Sequence, residues 1–476
     1  MQQDRAPLWE GLKLYKNEKI TRFHMPGHKA GRAFVPEWNE ALSGSFDVTE
    51  VPGTDDLHHP KGIIQEAETL AAQAFGADNS FFLVNGTSCG IMAMLLAAVS
   101  SGERIIVPRN VHRSILNGLI FSGAVPVYIR PETEEKWGMA LGVTPESIRQ
   151  ALLDYPDSKA VLLVSPTYYG VVPELKRIID LVHSAGKPVL VDEAHGAHLA
   201  FHPELPSSSL FYGADLSAQG AHKTLSSLTQ SAFLHQKGDL VDLERVKQAL
   251  RLVQSTSPSY LLLASLDLAR RQMAESGRDM LDITLSQVGK TRMAIKSLSG
   301  FAALGPEESG RPGFKALDET KLTVLTAKTG LTGWEIDKLL RRRYGIQAEL
   351  AAYQHLLFMF TIGTTDKDAA LLQQALQELD CKGNLSCSSV DFSFIPEQVL
   401  SPREAYFQSR ESLPLAEALG RIAGESVVPY PPGIPVLVPG ERIDSLVLEC
   451  LQELKENKQN IQGMADHTME TIVVLK

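Results

Sequence analysis

The stretch Pro188-Val-Leu-Val-Asp-Glu-Ala-His195, read with Ser217-Ala-Gln-Gly-Ala-His-Lys-Thr-Leu-Ser226, decides how the rest of this chain is understood. The first is a short apolar run ending in an acid, the pattern of a buried strand that leads into a turn. The second sets Lys223 among Gly220, Ala221, His222, Thr224, Ser226 and Ser227. Such small and hydroxylated neighbours leave room for a planar, phosphate-bearing molecule against the backbone. A lysine amine adds to aldehydes once it is deprotonated, and a partly buried or cation-flanked site favours that form. Lys223 is therefore a candidate Schiff-base lysine for pyridoxal phosphate, against the plainer reading of a solvated surface lysine.

Working outward, residues 63–75 read as an amphipathic helix stopped by Gly76, and residues 80–84 as a strand. Asn85-Gly-Thr-Ser-Cys-Gly90 then leads into a helix expected over 91–99. A strand passing through a glycine-bearing hydroxyl turn into a helix aims backbone N–H groups and the helix dipole at one point, which suits a phosphate; an ordinary cap by Thr87 or Ser88 is the plain alternative. Further strands are expected at 104–107, 125–129, 160–164, 188–191 and 216–218, with helices at 111–121, 145–153 and 174–185 between them. Continuous apolar strands alternating with amphipathic helices predict an α/β fold built on a mostly parallel sheet covered on both faces. In such sheets ligands collect at the C-terminal strand ends. Asn85 to Ser88, Arg109 and His112, Ser165 to Tyr168, Asp192 to His195 and Lys223 all fall at those ends.

Beyond Lys223 a returning strand is expected at 232–234, a helix at 240–252 and a long helix at 259–297. Strands at 322–325, 347–352 and 357–361 with helices at 333–342 and 366–379 describe a smaller α+β domain. After a Ser/Cys-rich linker at 384–389 come helices at 402–408 and 443–455. The expected organisation is an irregular N-terminal segment (1–60) carrying site loops, a cofactor-binding large domain (61–297), a small α+β domain (298–383) and a C-terminal domain (390–476).

The 476 residues exceed one ordinary core, and a 44% hydrophobic, 21% charged composition is that of a globular chain. A net charge of -10, with no basic run longer than Arg341 to Arg343, argues against a nucleic-acid partner. Cys89, Cys381, Cys387 and Cys450 form no CxxC pair, which argues against a zinc site or a disulfide framework and fits a reducing cytoplasm. The N-terminus lacks an apolar signal segment, and no apolar run is long enough for a bilayer span, so no membrane partner is expected. His24 and His28 stand at helical metal-ligand spacing, but Pro26 and Gly27 between them deny the helix, and no metal site is expected.

Asp192 ends an apolar strand and is the natural partner for a protonated pyridine nitrogen, with a turn-capping aspartate as the alternative. His112 is a candidate to stack on the cofactor ring, His195 to act beside it, and His222 to bind phosphate or move protons; for the first two, a hydrogen-bonded strand-end histidine is the plain reading. The segments His24-Met-Pro-Gly-His-Lys29, Asp55-Asp-Leu-His-His-Pro60, Asn85-Gly-Thr-Ser88, Arg109-Asn-Val-His112, Ser165-Pro-Thr-Tyr168, Asp192-Glu-Ala-His195, Ala221-His-Lys-Thr224 and Pro429-Tyr-Pro-Pro-Gly-Ile-Pro435 resemble, in order, the bacterial Orn/Lys/Arg decarboxylases, over nearly the whole chain. That resemblance implies fold type I, the PLP-dependent transferase-like fold, with pyridoxal phosphate as cofactor. It implies Lys223 as the Schiff-base lysine, Asp192 as the ring-nitrogen partner, His112 as the stacking residue, and Thr87, Ser88 and His222 as phosphate contacts. It makes Glu441, in Pro439-Gly-Glu441, a weaker candidate near the substrate channel. Family members often carry serine where Gly220 stands, which implies one phosphate hydroxyl fewer here. With the motifs beginning close to its first residue, the chain resembles the shorter form, for which no N-terminal wing domain like that of the large enzymes is expected.

The reaction implied is decarboxylation of a basic amino acid, with arginine preferred and lysine or ornithine as alternatives, to the amine and carbon dioxide. Lys223 or His195 would return the proton to the α-carbon, and Asp55, Glu50 or Glu441 would receive the substrate's terminal cation. Polyamine biosynthesis is the expected setting, and fold-type-I sites imply a homodimer or higher homo-oligomer. An aminotransferase or lyase on the same fold, or a non-catalytic regulator that kept the fold, are the alternatives.

Overall fold

Seven short apolar segments form the central sheet: β1 (Asn79–Leu83), β2 (Arg104–Pro108), β3 (Val125–Ile129), β4 (Ala160–Val164), β5 (Val189–Asp192), β6 (Leu216–Gln219) and β7 (Ala232–Gln236). Their order is β1-β7-β6-β5-β4-β2-β3. β2 pairs in parallel with β3 and β4, and β5 in parallel with β6. β7 runs antiparallel to both β1 and β6. β5, β6 and β7 are buried along their whole length, the pattern of strands covered on both faces. The mostly parallel sheet expected from the alternation of apolar and amphipathic segments is the one observed.

This computed structural model describes residues 3–17, 44–134, 136–385, 394–429, 434–456 and 461–476. The chain divides into two compact units, Met1–Ala98 with Leu190–Leu281, and Val99–Val189 with Asp282–Lys476. In the first unit α1 (Pro7–Asn17) buries Leu8, Leu12 and Tyr15 on one face. The opening segment was expected to be irregular; the spacing of these three residues, with Pro7 in the first turn, is what makes it helical. α2 (Ile63–Phe75) ends at Gly76, whose left-handed backbone lets its N–H reach Ala72 O. α3 (Gly86–Ala98) begins at Gly86, earlier than expected, so Thr87 and Ser88 stand in its first turn and not in a loop before it.

β1 lies at the edge of the sheet, and its outward backbone is covered by side chains. Glu68 Oε1 accepts from Phe82 N, while Gln254 receives Val84 N and donates to Phe82 O. Such coverage removes a template for strand addition. Burial pushes the Glu68 carboxyl up to about 8.

The second unit holds α4 (Arg113–Ser122), α5 (Pro145–Asp154) and α6 (Leu175–Ser184) beside its strands. α5 opens with a reciprocal capping box between Thr144 and Ser147. α7 (Leu243–Val253), capped by Asp242, belongs to the first unit, and α8 (Tyr260–Lys296) is the long helix expected. A four-stranded antiparallel sheet follows, with β8 (Ala302–Ala303), β9 (Lys321–Leu325), β10 (Leu350–Ala351) and β11 (His355–Met359) in the order β8-β9-β11-β10. α9 (Gly333–Leu339) and α10 (Asp366–Glu378) pack their Ile336, Leu372 and Leu376 into its core. The strand expected over 347–352 shrinks to two residues. Arg341 to Arg343 are exposed, as a short basic run should be. The C-terminal part contains α11 (Pro402–Phe407), a hairpin-like pair of β12 (Arg410–Pro414) with β13 (Thr471–Leu475), and α12 (Ser445–Glu456), around a core of Val427, Leu437, Leu451 and Ile472. β13 was not anticipated, although Thr471-Ile-Val-Val-Leu475 carries the β-branched signature. No helix among the described residues is long and apolar enough to cross a membrane.

The N-terminal residues are tied down by a fully buried ion pair. Asp267 and Arg270 of α8 are both 0% exposed and meet at 2.5 Å. Asp267 Oδ2 accepts from Leu8 N at 3.0 Å, and Arg270 donates to the carbonyls of Gln3 and Arg5. Asp267→Ala leaves the guanidinium buried without its counter-charge, so chemical denaturation should show a loss of about 3–5 kcal/mol. Early proteolysis should fall in the first residues of the chain.

Candidate functional site

Lys223 sits in a single helical turn, Ala221–Thr224, directly after β6. Its position relative to β5 is set by backbone bonds that continue the parallel ladder past the strand ends. Glu193 N donates to Ala218 O at 3.0 Å and Gly220 N to Ala194 O at 3.2 Å. The turn after β5 and the turn after β6 therefore lie against one another. The result is a contact between two expected site residues: Lys223 Nζ lies 3.0 Å from His195 Nε2. Asp192 is 5% exposed, and its Oδ1 accepts from Ala194 N at 3.2 Å, which holds the carboxylate at the strand end.

Gly220 allows this close approach. A Cβ there would lie 2.6 Å from Ala194 O, 3.0 Å from Thr87 Oγ1 and 3.2 Å from Lys223 Cδ. A side chain at this position would require the Ala194 carbonyl to move, so glycine permits this closer approach as well as removing a hydroxyl. The same distances place the Thr87 hydroxyl beside Lys223. Thr87 Oγ1 is buried and has no hydrogen-bond partner, as is Thr224 Oγ1. Buried polar atoms are nearly always satisfied, so an orphaned hydroxyl in a turn of small residues marks a place for a ligand atom. Thr87 and Ser88 stand in the first turn of α3, where helix N–H groups lack intrahelical acceptors and the dipole favours an anion. His222 Nδ1 donates to Ser231 O at 2.9 Å, so its Nε2 is the nitrogen left for other partners. Gly86 N binds Gln230 O, which folds the loop after Lys223 back onto the start of α3. The donors, the cation and the buried carboxylate fit pyridoxal phosphate.

Asp55, also of the first unit, is engaged differently from the expectation. Its Oδ1 accepts from Asp56 N and Lys61 N, and its Oδ2 from Gly62 N and Ile64 N. It caps α2 from a distance and organises the Asp55 to Pro60 loop. Glu50 Oε1, by contrast, is buried with no hydrogen-bond partner.

In the second unit His112 is the N-cap of α4, its Nδ1 accepting from Ser114 N, which fixes the ring by one edge. Glu441 is 0% exposed and forms a bidentate pair with Arg109, at 2.5 and 2.8 Å. Its Oε2 also accepts from Val438 N, and Arg109 donates to Pro435 O and Val436 O. Both Glu441 oxygens are thus engaged in holding the chain at 435–441, and the carboxylate is not presented to a ligand. The exposed Glu349 accepts from Tyr168 Oη at 2.6 Å, and Tyr168 follows the C-terminal end of β4. The sequence singled out Tyr168 but offered no signal for Glu349, which lies at the start of a strand far along the chain.

Glu193 was overlooked beside Asp192. It is fully buried and receives hydrogen bonds from Ser208, Ser209, Ser217 and Gln219. The His24 to Lys29 motif, Cys387 and Tyr430 to Gly433 lie outside the described residues; the described cysteines, Cys89, Cys381 and Cys450, form no disulfide.

Two family models cover the chain: Orn/Lys/Arg decarboxylase, major domain, over residues 6–368, and the C-terminal domain of the same family over residues 387–470. The chain is 42% identical to the arginine decarboxylase of Bacillus subtilis (strain 168), covering 100% of this chain and 99% of the relative. It is 41% identical to the arginine decarboxylase of Halalkalibacterium halodurans, over 100% of this chain and 98% of that one. Among solved structures, lysine decarboxylase A from Pseudomonas aeruginosa superposes with a TM-score of 0.86 at 23% identity, covering 99% of this chain and 80% of that one, a likeness of fold. With both domain models matched in order, and relatives of this identity along the full length, the chain belongs to the Orn/Lys/Arg decarboxylase family of PLP-dependent amino-acid decarboxylases.

Proposed function

We propose that the protein decarboxylates arginine to agmatine and carbon dioxide, in the cytoplasm and as at least a homodimer. The observation that carries the choice of arginine is the 42% identity, end to end, with a protein named arginine decarboxylase. Bound pyridoxal phosphate supplies an electron sink for the pair left on the α-carbon when carbon dioxide departs. Lys223 is the amine that holds the cofactor covalently. Thr87, Ser88 and the Nε2 side of His222 hold its phosphate, supported by the orphaned Thr87 hydroxyl and the open first turn of α3.

Asp192, buried and steadied by Ala194 N, holds the ring nitrogen protonated. His112, capped at Nδ1, stacks on the ring, a role that rests on the family resemblance. His195 Nε2, 3.0 Å from Lys223 Nζ, shares a proton with the amine, and either group can return one to the α-carbon. For the terminal guanidinium we assign Glu50, of the same unit as Lys223 and with a buried oxygen that has no partner, in place of Asp55 and Glu441, whose oxygens are already engaged.

Purified protein supplied with the cofactor and with arginine, lysine or ornithine in turn should release carbon dioxide fastest from arginine, with agmatine as product. Formation of a keto acid would instead identify a transaminase. Lys223→Ala should lose the borohydride-trappable cofactor and at least about 10³-fold of the rate, on the scale of removing a catalytic nucleophile.

Glu50→Gln should raise KM for arginine about tenfold with little change in kcat, the signature of lost uniform binding through one charge-assisted contact. An unchanged KM would remove Glu50 from the subsite.

Gly220→Ser tests two opposed expectations. If the missing hydroxyl limits cofactor binding, serine improves it; the 2.6 Å approach to Ala194 O makes the opposite outcome the expected one, with affinity for pyridoxal phosphate about tenfold weaker by equilibrium dialysis.

A further inference from the structure

Glu193 is a buried ionisable group for which the reaction has no step. Its neighbours are all donors. Oε1 receives Ser209 N at 2.8 Å; Oε2 receives Ser209 Oγ at 2.8 Å, Ser217 Oγ at 2.7 Å, Gln219 Nε2 at 2.9 Å and Ser208 Oγ at 3.1 Å. Ser209 N and Gln219 Nε2 can only donate, so each carboxyl oxygen of Glu193 accepts at least one hydrogen bond. Burial pushes the carboxyl up, and these donors act against it. Keeping a charge in a dry interior is costly unless its lone pairs are filled, so the arrangement is built rather than incidental.

Its place in the fold indicates what it is for. Glu193 N still donates to Ala218 O, so the chain is extended at this point, and successive side chains of an extended chain point to opposite faces. Asp192 and Glu193 therefore face opposite sides of the sheet end. On β6, Ser217 and Gln219 share one face by the same alternation, and both reach Glu193. One carboxylate thus joins the end of β5, the end of β6 and the Ser208–Ser209 loop, immediately before Gly220 and the Lys223 turn.

We propose that Glu193 is a positioning residue: from the face away from Asp192 it clamps the ends of β5 and β6 together, and so sets where Asp192 and His195 stand relative to Lys223. The clamp acts through Gln219, the last residue before Gly220. This rests on the reading of Lys223 and Asp192 as cofactor residues. A shift of the Asp192 charge changes what it costs to protonate a nitrogen at Lys223, which gives a readout separate from turnover.

The test uses full-length protein loaded with pyridoxal phosphate. The pH midpoint of its visible absorbance band and its cofactor affinity are measured for wild type, Glu193→Ala, Gln219→Ala and the double variant. Each single change should weaken cofactor binding about tenfold, the scale of one lost supporting hydrogen bond, and shift the midpoint in the same direction. The double variant should be little worse than either, because the two residues act as one unit. Folded single variants with a lowered melting temperature but wild-type midpoint and affinity would make Glu193 merely structural and overturn the proposal. If Glu193→Ala does not fold, Gln219→Ala alone decides: a shifted midpoint supports the clamp, and an unchanged one overturns it. Wild type that gives no band with pyridoxal phosphate fails at the earlier step, the cofactor reading itself, and the clamp falls with it.

Discussion

The parallel pairing of β5 with β6 is the constraint on which the rest of the site depends. Two strands that run in the same direction and end at the same level deliver their following turns to one place. Asp192 pairs with Ala218, and the ladder continues through Glu193 N to Ala218 O and Gly220 N to Ala194 O. Because Gly220 has no side chain, the second turn can lie directly on the first, and Lys223 reaches His195. A residue with a Cβ would require the Ala194 carbonyl to shift. The small residue at 220 and the placement of the lysine are two aspects of one close approach.

Carboxylates in this chain divide by where burial and donors put them. Glu441 is consumed by Arg109, Asp55 by the amides that open α2, and Asp267 by Arg270 and Leu8 N. These acids hold chain segments that are remote in sequence: the 435–441 stretch, the Asp55 to Pro60 loop and the first residues. Glu193 does the same at the sheet end. Asp192 and Glu50 remain as acids whose surroundings suit a ligand, the first buried at the end of β5, the second with a buried oxygen that has no partner. An acid in a motif is therefore as often part of the frame as part of the chemistry, and its donors decide which.

Family membership and geometry bear on different questions. Fold type I is common to enzymes with several reactions, so the sheet and its lysine define a cofactor chemistry without defining the bond that is broken. The choice of decarboxylation comes from relatives matched along the whole chain. What the side chains add is where groups stand: a hydroxyl without a partner at Thr87, a 3.0 Å contact between Lys223 and His195, and a buried acid oxygen without a partner at Glu50.

By itself the sequence determined the class of fold and singled out Lys223 as the candidate reactive lysine. Apolar runs such as Ala160-Val-Leu-Leu-Val164 and amphipathic helices such as 63–75 are local patterns, and their alternation admits few sheet architectures. Strand-end residues could be named for the same reason, since the ends of local elements can be read locally. The tertiary structure alone decided which of those residues face one another. The start of α3 at Gly86, which puts Thr87 and Ser88 in a helical turn, depends on the returning loop at Gln230. The engagement of Glu441 by Arg109, of Glu349 by Tyr168 and of Glu193 by Ser217 and Gln219 each joins residues from separate elements. Whether a carboxylate is a clamp or a ligand for substrate depends on the donors that packing brings to it, and packing between distant segments leaves no periodic trace along the chain.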